Sequence, residues 1–399
     1  MKEFNLRTLD EVKNLRGKRV LLRVDLNIPL DHQGVPDPGS HRRLLYILPT
    51  LAYLHSKGAK TILISHLGRP VGWDLNLSLE SVAKKLAKAI NQKIYFIHDS
   101  LTESKTVDRK LEDLDNGQFA LLENIRFYKG EEDNNLFFAR RLASLADIFA
   151  NDAFGAIHRV TASTYGVAKL LPSYAGFLLT KEVKVLSKLL VQPQHPFIAL
   201  FGGAKISEKL EMIKHIADRA DFVLLGGGLS ISALRAKGCK IGHSLFNRDD
   251  LAAAKELLKH KNIALPLDVI VSKNKFHPQN MRVVPRADVA SDEIIVDIGP
   301  ETAARFAKFV GIAKTVLWNG PMGILEVAEF SHGSLAMTRS IAERMTTNKC
   351  FSVVGGGETV ELLERLKMAD SVEHISTGGG AMLALLSGQK LPALEILMN

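Results

Sequence analysis

At 399 residues the chain exceeds what one hydrophobic core usually serves, so two domains are expected. Its apolar fraction of 46% with 24% charged residues is that of an ordinary globular protein, and no apolar stretch is long enough to span a bilayer. A net charge of +9 and a pI near 9.3 favour anionic partners; with no Lys or Arg run, they describe a solvated basic surface rather than a nucleic-acid-binding one.

The amino terminus, MKEFNLRTLDEVKNL, mixes both charges without an apolar centre and predicts no signal peptide. Short apolar runs follow, each trailed by a longer amphipathic stretch: KRVLLRV (18–24), AKTILIS (59–65), KIYFI (93–97), QFALLE (118–123) and DIFAND (147–152). Such strands alternating with helices predict a parallel sheet covered on both faces. RVDLNIP (23–29) ends a strand with Asp25 and Asn27 on the same side by period-two alternation, and Arg23 lies at or just past the end of the apolar run. The turn-rich segment 31–43 predicts an exposed loop leading into a helix, with Pro49 in that helix's first turns or else kinking it. SHLGRP (65–70) puts His66 and Arg69 on a strand-end turn, and ENIRF (123–127) and GAIHRV (155–160) add Arg126 and Arg159. Each arginine alone reads as a surface salt-bridge partner. Repeated at strand ends, their guanidinium forks suit a compact dianion or trianion.

Thr180 stands where it would cap a helix through KEVKVLSKLLV, with Val183, Leu186, Leu189 and Leu190 on one face, and QPQHP (192–196) ends it. Residues 181–196 are read as a connecting helix and hinge; the alternative is a crossover helix within one domain. The second half repeats the strand pattern with PFIALFG (196–202), DFVLLG (221–226), DVIV (268–271), IIVDIG (294–299), TVLWNG (315–320), CFSVVG (350–355) and EHIST (373–377). The predicted fold class is therefore α/β: two doubly wound parallel-sheet, Rossmann-like domains joined by a hinge helix.

Adjacent glycines occur only after residue 200, at Gly202-Gly203, Gly226-Gly227-Gly228, Gly355-Gly356-Gly357 and Gly378-Gly379-Gly380. Beyond the carboxyl end of a strand, glycine lets backbone approach a phosphate chain, and helix N–H groups favour an anion. A lone triplet would mean only a tight turn. No GxxxxGK[ST] is present and no GxGxxG follows a strand, so a nucleotide would be held differently. In GGAKISEKL (202–210), Lys205 and Lys209 are predicted to share one side of a helical turn, reaching a single polyphosphate or else lining a solvated face. Glu358 offers Mg²⁺ a hard oxygen or serves as a first-turn acid. Cys239 and Cys350 have no partner spacing for zinc or a disulfide framework and fit a reducing cytoplasm. No Ser-His-Asp order, HExxH or CxxC competes with phosphoryl transfer, which needs no base when the acceptor is already ionised.

The strings RVDLNIP, SHLGRP, LLENIRFYKGEE, NDAFGAIHR, GGAKISEKL, LPLDV, DIGPET, LWNGPMGILE, GGGET and HISTGGGA, in this order across essentially the whole chain, closely resemble phosphoglycerate kinase. The resemblance implies a first domain, 1–180, for 3-phosphoglycerate, and a second, 197–380, for nucleotide. It implies a hinge at 181–196 and a tail, 381–399, returning to the first domain. The implied reaction is reversible, between 1,3-bisphosphoglycerate with Mg-ADP and 3-phosphoglycerate with Mg-ATP, in line and after domain closure, in a cytoplasmic monomer.

By the same match Asp25, Leu26, Asn27, Arg43, His66, Leu67, Gly68, Arg69, Arg126 and Arg159 bind the three-carbon phosphate. Counting back from LPT (48–50) selects Arg43 over Arg42. Lys205 would face the transferring phosphoryl group and Lys209 the nucleotide phosphates. Gly226, Gly227 and Leu325 would lie near the adenine, Glu326 at the ribose and Asn319 near the phosphates. Gly355, Gly356, Gly357, Glu358 and Thr359 would complete the phosphate and Mg²⁺ end, with Glu358 on the metal. Gly378 and Gly379 would donate N–H groups to the transition state, forming the catalytic set with Arg43 and Lys205.

Two positions depart from the family pattern. Glu358 stands where the family usually has aspartate, which predicts retained Mg²⁺ dependence with a shifted carboxylate. Thr161 stands where a second histidine usually follows the HR pair. Two rivals belong to other classes. A non-catalytic anion binder with a nucleic-acid surface predicts broken sites, yet the arginines, lysines and glycine clusters are intact. A nicotinamide dehydrogenase lacks its glycine fingerprint.

Overall fold

The computed structural model describes residues 4–31, 41–102, 104–348 and 350–399. Most of the predicted loop at 31–43 lies outside the described residues. Two compact units emerge: residues 3–184 with 390–399, and residues 185–389.

In the first unit the apolar runs form β1 (Arg19–Arg23), β2 (Lys60–Ile64), β3 (Ile94–Ile97), β4 (Phe119–Leu122) and β5 (Ile148–Asn151), joined by an unforeseen short strand, β6 (Ser173–Ala175). The order is β3-β4-β2-β1-β5-β6, and every pairing is parallel. Nearly every residue of β1, β2, β4 and β5 is buried, as helices on both faces require. Because all strands run the same way, their carboxyl ends share one edge, which collects the polar residues that follow them.

The helix His41–Ser56 runs on through Pro49, well past its first turn. Its ring removes the amide that Leu45 O would accept, and Leu45 is exposed, so water can satisfy that carbonyl.

The second unit holds a sheet ordered β15-β14-β13-β7-β8-β9, again all parallel. Its strands are β7 (Phe197–Phe201), β8 (Phe222–Leu225), β9 (Ile263–Ala264), β13 (Thr315–Asn319), β14 (Phe351–Gly355) and β15 (His374–Ile375). DVIV and IIVDIG do not join it. They form β10 (Asp268–Ser272) and β12 (Ile294–Ile298), which make a separate antiparallel sheet with β11 (Arg282–Pro285) in the order β11-β10-β12. No helix separates these three strands, and parallel pairing of neighbours needs a long crossover, so β11 and β12 each pair antiparallel with β10, one on either side of it.

The predicted connecting helix spans Phe177–Val191, starting before Thr180. Thr180 is therefore inside it rather than its cap, its hydroxyl donating back to Gly176 O at 2.8 Å. The carboxylate of Asp152, just past β5, accepts from Leu179 N at 3.1 Å and supplies the acceptor that the helix start needs. The unit boundary falls within this helix, between Lys184 and Val185. At the other end, the helix Gly379–Leu386 packs against Leu210–Ala217 in the second unit. Only residues 390–399 belong with the first unit, a later switch than residue 381. There Leu6 bridges Met398 antiparallel, and Arg7 N donates to Leu397 O at 2.8 Å.

Candidate functional site

The strand edge of the first unit carries a cationic cluster built on buried hydrogen bonds. Strand β1 ends at Arg23, so Asp25 and Asn27 follow in irregular chain rather than on a strand face. Asp25 Oδ1 accepts from Asn27 N at 3.1 Å, and Arg43 Nη1 bonds Asn27 O at 2.5 Å while lying 3.6 Å from Asp25 Oδ1. Arg43, the arginine that counting from LPT selects, thus contacts this loop. Asn27 Oδ1 accepts from Gly68 N at 2.8 Å, and Gly68 O accepts from Arg126 Nη1 at 2.6 Å. Gly68 has φ +61, and a Cβ would meet Leu77 Cδ2 at 2.8 Å, so glycine is needed in this turn.

Leu26 and Leu67 pack in the hydrophobic core. Their N–H groups are taken by Ser65 Oγ at 2.8 Å and Asn124 Oδ1 at 3.1 Å. Their packing shapes the loop, with these N–H groups already used inside the protein. Asn124, which the motifs do not mark, also caps the turn carrying Arg126 and accepts from its N–H at 3.1 Å.

His66 is buried beside Arg23, whose Nη2 lies 3.0 Å from His66 Nδ1. Burial, then the charges of Arg23, Arg126, Arg159 and Arg43, hold the ring far below the usual histidine range, so it is neutral. Arg126 is in turn held down by burial and by the charge of Arg159. Arg69 is exposed and makes no hydrogen bond or ion pair among the described residues. Several guanidinium groups thus converge with few internal partners, an arrangement that an incoming anion stabilises. Thr161 stays out of this cluster. Its buried hydroxyl meets Thr164 Oγ1 at 3.0 Å and its N–H donates to the same oxygen, capping the π-turn Ala162–Gly166.

In the second unit, the glycines do two different jobs. The N–H groups of Gly202, Gly203, Gly226 and Gly227 donate to Asn319 O, Pro321 O, Phe201 O and Met322 O. They are spent inside the protein, contrary to the expectation of a phosphate cradle. Their lack of a side chain serves packing: a Cβ on Gly202 would sit 1.8 Å from Pro321 O.

Gly356 and Gly378 instead stand at the N-caps of the helices Gly357–Arg365 and Gly379–Leu386. The first intrahelical donors there are Val360 N and Met382 N, so the amides before them have no partner within their helix. A Cβ on Gly379 would be 3.8 Å from Gly356 Cα, which brings the two helix starts together. Asn319 Nδ2 lies beside Gly356, and Thr359 Oγ1 accepts from Gly320 N at 2.9 Å. Gly355 ends β14 against Met382.

Lys205 and Lys209 do not share a helical turn. The helix starts at Leu210, and Gly203 at φ +93 turns the chain away before it. Lys205 is exposed and pairs with Glu208 at 3.0 Å, a contact weak enough to exchange for a ligand. Lys209 is turned inward, its Nζ donating to Gly202 O at 2.9 Å, and burial brings its ammonium down to about 8.

A cleft of about 1310 Å³ opens here, lined by Lys205, Gly227, Leu325, Glu326 and Glu358 among others but not by Gly226, Asn319 or Thr359. No group of three or more acidic, His or Cys side chains able to hold a metal occurs among the described residues. Glu358 presents an exposed carboxylate on this cleft, a hard oxygen of the kind that Mg²⁺ takes singly when most of its other ligands are phosphate oxygens and water.

No described helix is long and apolar enough to cross a membrane. A family model described as phosphoglycerate kinase matches residues 9–389. A phosphoglycerate kinase of Dictyoglomus turgidum is 43% identical over 395 residues, covering 97% of each chain. One from Thermosynechococcus vestitus is 40% identical over 390 residues and covers 96% of each. The solved structure of phosphoglycerate kinase from Coxiella burnetii superposes with a TM-score of 0.86 at 37% identity, covering 98% of both chains. With motifs, fold and relatives in agreement over nearly its whole length, the chain belongs to the phosphoglycerate kinase family.

Proposed function

We infer that the activity of this family, reversible phosphoryl transfer between 1,3-bisphosphoglycerate with ADP and 3-phosphoglycerate with ATP, is carried by the two clusters just described. The reading rests above all on the paired helix starts at Gly356 and Gly378 beside Lys209, which offer several N–H dipoles and a cation to a polyphosphate. In the first unit Arg43, Arg69, Arg126 and Arg159, with neutral His66, Asp25 and Asn27, bind the triose. Its phosphate and carboxylate are both anions, which suits convergent guanidinium groups.

The carboxylate of 3-phosphoglycerate is ionised at neutral pH and attacks the γ-phosphorus without a base. As negative charge builds on the equatorial oxygens, Lys205, Arg43 and the Gly378 and Gly379 end of the Gly379–Leu386 helix stabilise it. Leu325 supports the base and Glu326 the ribose, while Glu358 would hold Mg²⁺. When bound, Mg²⁺ neutralises charge on the phosphate oxygens. The course we propose is in-line transfer with closure about the Phe177–Val191 helix, in a monomeric cytoplasmic enzyme.

A coupled assay with ATP, Mg²⁺ and 3-phosphoglycerate, read through a downstream dehydrogenase, tests the reading. Turnover is expected; folded protein without turnover would overturn it.

A further inference from the structure

Arg23 differs from the other arginines of the cluster in that all three of its guanidinium nitrogens donate within the protein. It is 2% exposed, and Nε, Nη1 and Nη2 each donate within the protein: to Ser163 Oγ at 2.9 Å, to Val24 O, and to His66 Nδ1 at 3.0 Å. Ser163 in turn donates from Oγ to Glu131 Oε1 at 2.6 Å and from its N–H to Glu131 Oε2 at 2.9 Å. Glu131 is also buried, so both its oxygens are committed and its charge offsets that of Arg23. Ser163 sits in the π-helical turn that Thr161 caps, and such turns frequently mark functional positions.

We propose that Arg23, held by Ser163 and Glu131, is a positioning residue that locks His66 in the tautomer carrying its proton on Nε2, so that the ring donates a neutral hydrogen bond to an anionic oxygen of the triose. The lock follows from donor inventory. A guanidinium has only donors, so the Nδ1 that faces it must be the acceptor and the ring proton must sit on Nε2. The polarity is fixed at the far end too, because the serine proton is given to a carboxylate that cannot donate. Burial and the surrounding guanidinium charges exclude the doubly protonated ring, which removes the remaining way for His66 to present something else. The other arginines supply charge to the ligand, whereas Arg23 supplies direction to a neighbour.

The role given to His66 rests on the proposed triose site, but the tautomer does not, and the two are tested separately. Long-range ¹⁵N–¹H correlation of histidine-labelled, ligand-free protein reads which ring nitrogen is protonated. Expected is one Nε2-protonated form for His66, unchanged between about pH 6 and 8, where an ordinary histidine titrates. An Nδ1-protonated or charged ring in the wild type overturns the proposal without recourse to any variant.

In Ser163→Ala, Arg23 loses its aim. The His66 signals should then report a tautomer mixture, and KM for 3-phosphoglycerate should rise about fivefold, as for one lost neutral hydrogen bond, with nucleotide affinity unchanged. A folded Ser163→Ala protein with the wild-type tautomer and KM also overturns the proposal. Should wild-type protein show the expected tautomer but no turnover, the triose assignment fails while the lock stands.

Discussion

Lys209 Nζ donates to Gly202 O at 2.9 Å, in a pocket walled by Gly203 and Gly320, and burial there brings its ammonium down to about 8. Below that pH the side chain is charged and attracts nucleotide phosphates; above it the neutral amine does not. The profile of kcat/KM for nucleotide, which reports the free enzyme, should therefore fall as pH rises through about 8. Lys209→Arg should push that fall beyond the accessible range, since guanidinium stays charged. A profile with the same limb in both proteins would assign it to another group.

Arg43 ties Asn27 O and Asp25 together, and the proposed mechanism gives it a role in charge stabilisation. Arg43→Ala should lower kcat by about 10²–10³-fold, the scale of a lost transition-state donor, with nucleotide affinity within about twofold of wild type. Steady-state kinetics and nucleotide calorimetry together check this. Nearly full activity would return the role to Arg42.

Glu358→Ala should raise the Mg²⁺ concentration needed for half-maximal activity about tenfold, the effect of losing a single carboxylate contact, and Glu358→Asp should restore most of it. An unchanged Mg²⁺ titration in Glu358→Ala would make this residue only a first-turn acid.

Gly202→Ala places a methyl 1.8 Å from Pro321 O, where backbone, not a flexible side chain, must move. A loss of about 3 kcal/mol or more in unfolding free energy is expected, at the upper end for point substitutions. Chemical denaturation measures it; a variant as stable as wild type would show that the β7 and β13 loops adapt to one another.

Asp152 is buried, and burial raises its carboxyl to about 6, above the ordinary aspartate range, against the opposing hydrogen bonds from Thr50, Leu179 and Leu178. A raised acid contributes stability that is complete below the unfolded value and is lost as pH rises through about 6. Asp152→Asn removes that slope, so the difference in stability between variant and wild type should change by roughly 3 kcal/mol between about pH 4 and 7. Parallel denaturation curves at the two pH values test it.

How much of this was legible in the chain depended on whether a signal was local. KRVLLRV and TVLWNG read as strands because both faces are buried and nearly every residue is apolar. The short Ser173–Ala175 strand carries no such run. DVIV and IIVDIG show the same apolar run whichever way they pair, and only the missing helices between them set the antiparallel direction. The arginines announced their cluster by position at strand ends. Glu131 and Ser163 did not: an acid in GEE reads as surface charge until the fold buries it under Arg23. The glycine clusters were found for a partly mistaken reason, since the N–H groups of Gly202, Gly203, Gly226 and Gly227 serve neighbouring loops.

The first unit is discontinuous in sequence: Leu6 and Arg7 are paired by residues near Met398, after the whole of Val185–Gln389 has intervened. During synthesis the second unit therefore has all its parts before the first does. The amino-terminal strand edge beside β6 waits, partly unpaired, while the intervening polypeptide is made. The segment around Leu6 and Arg7 is thus finished only after its distant partners near Met398 are made, which gives the nascent chain a period of vulnerability to aggregation that the folded molecule does not share.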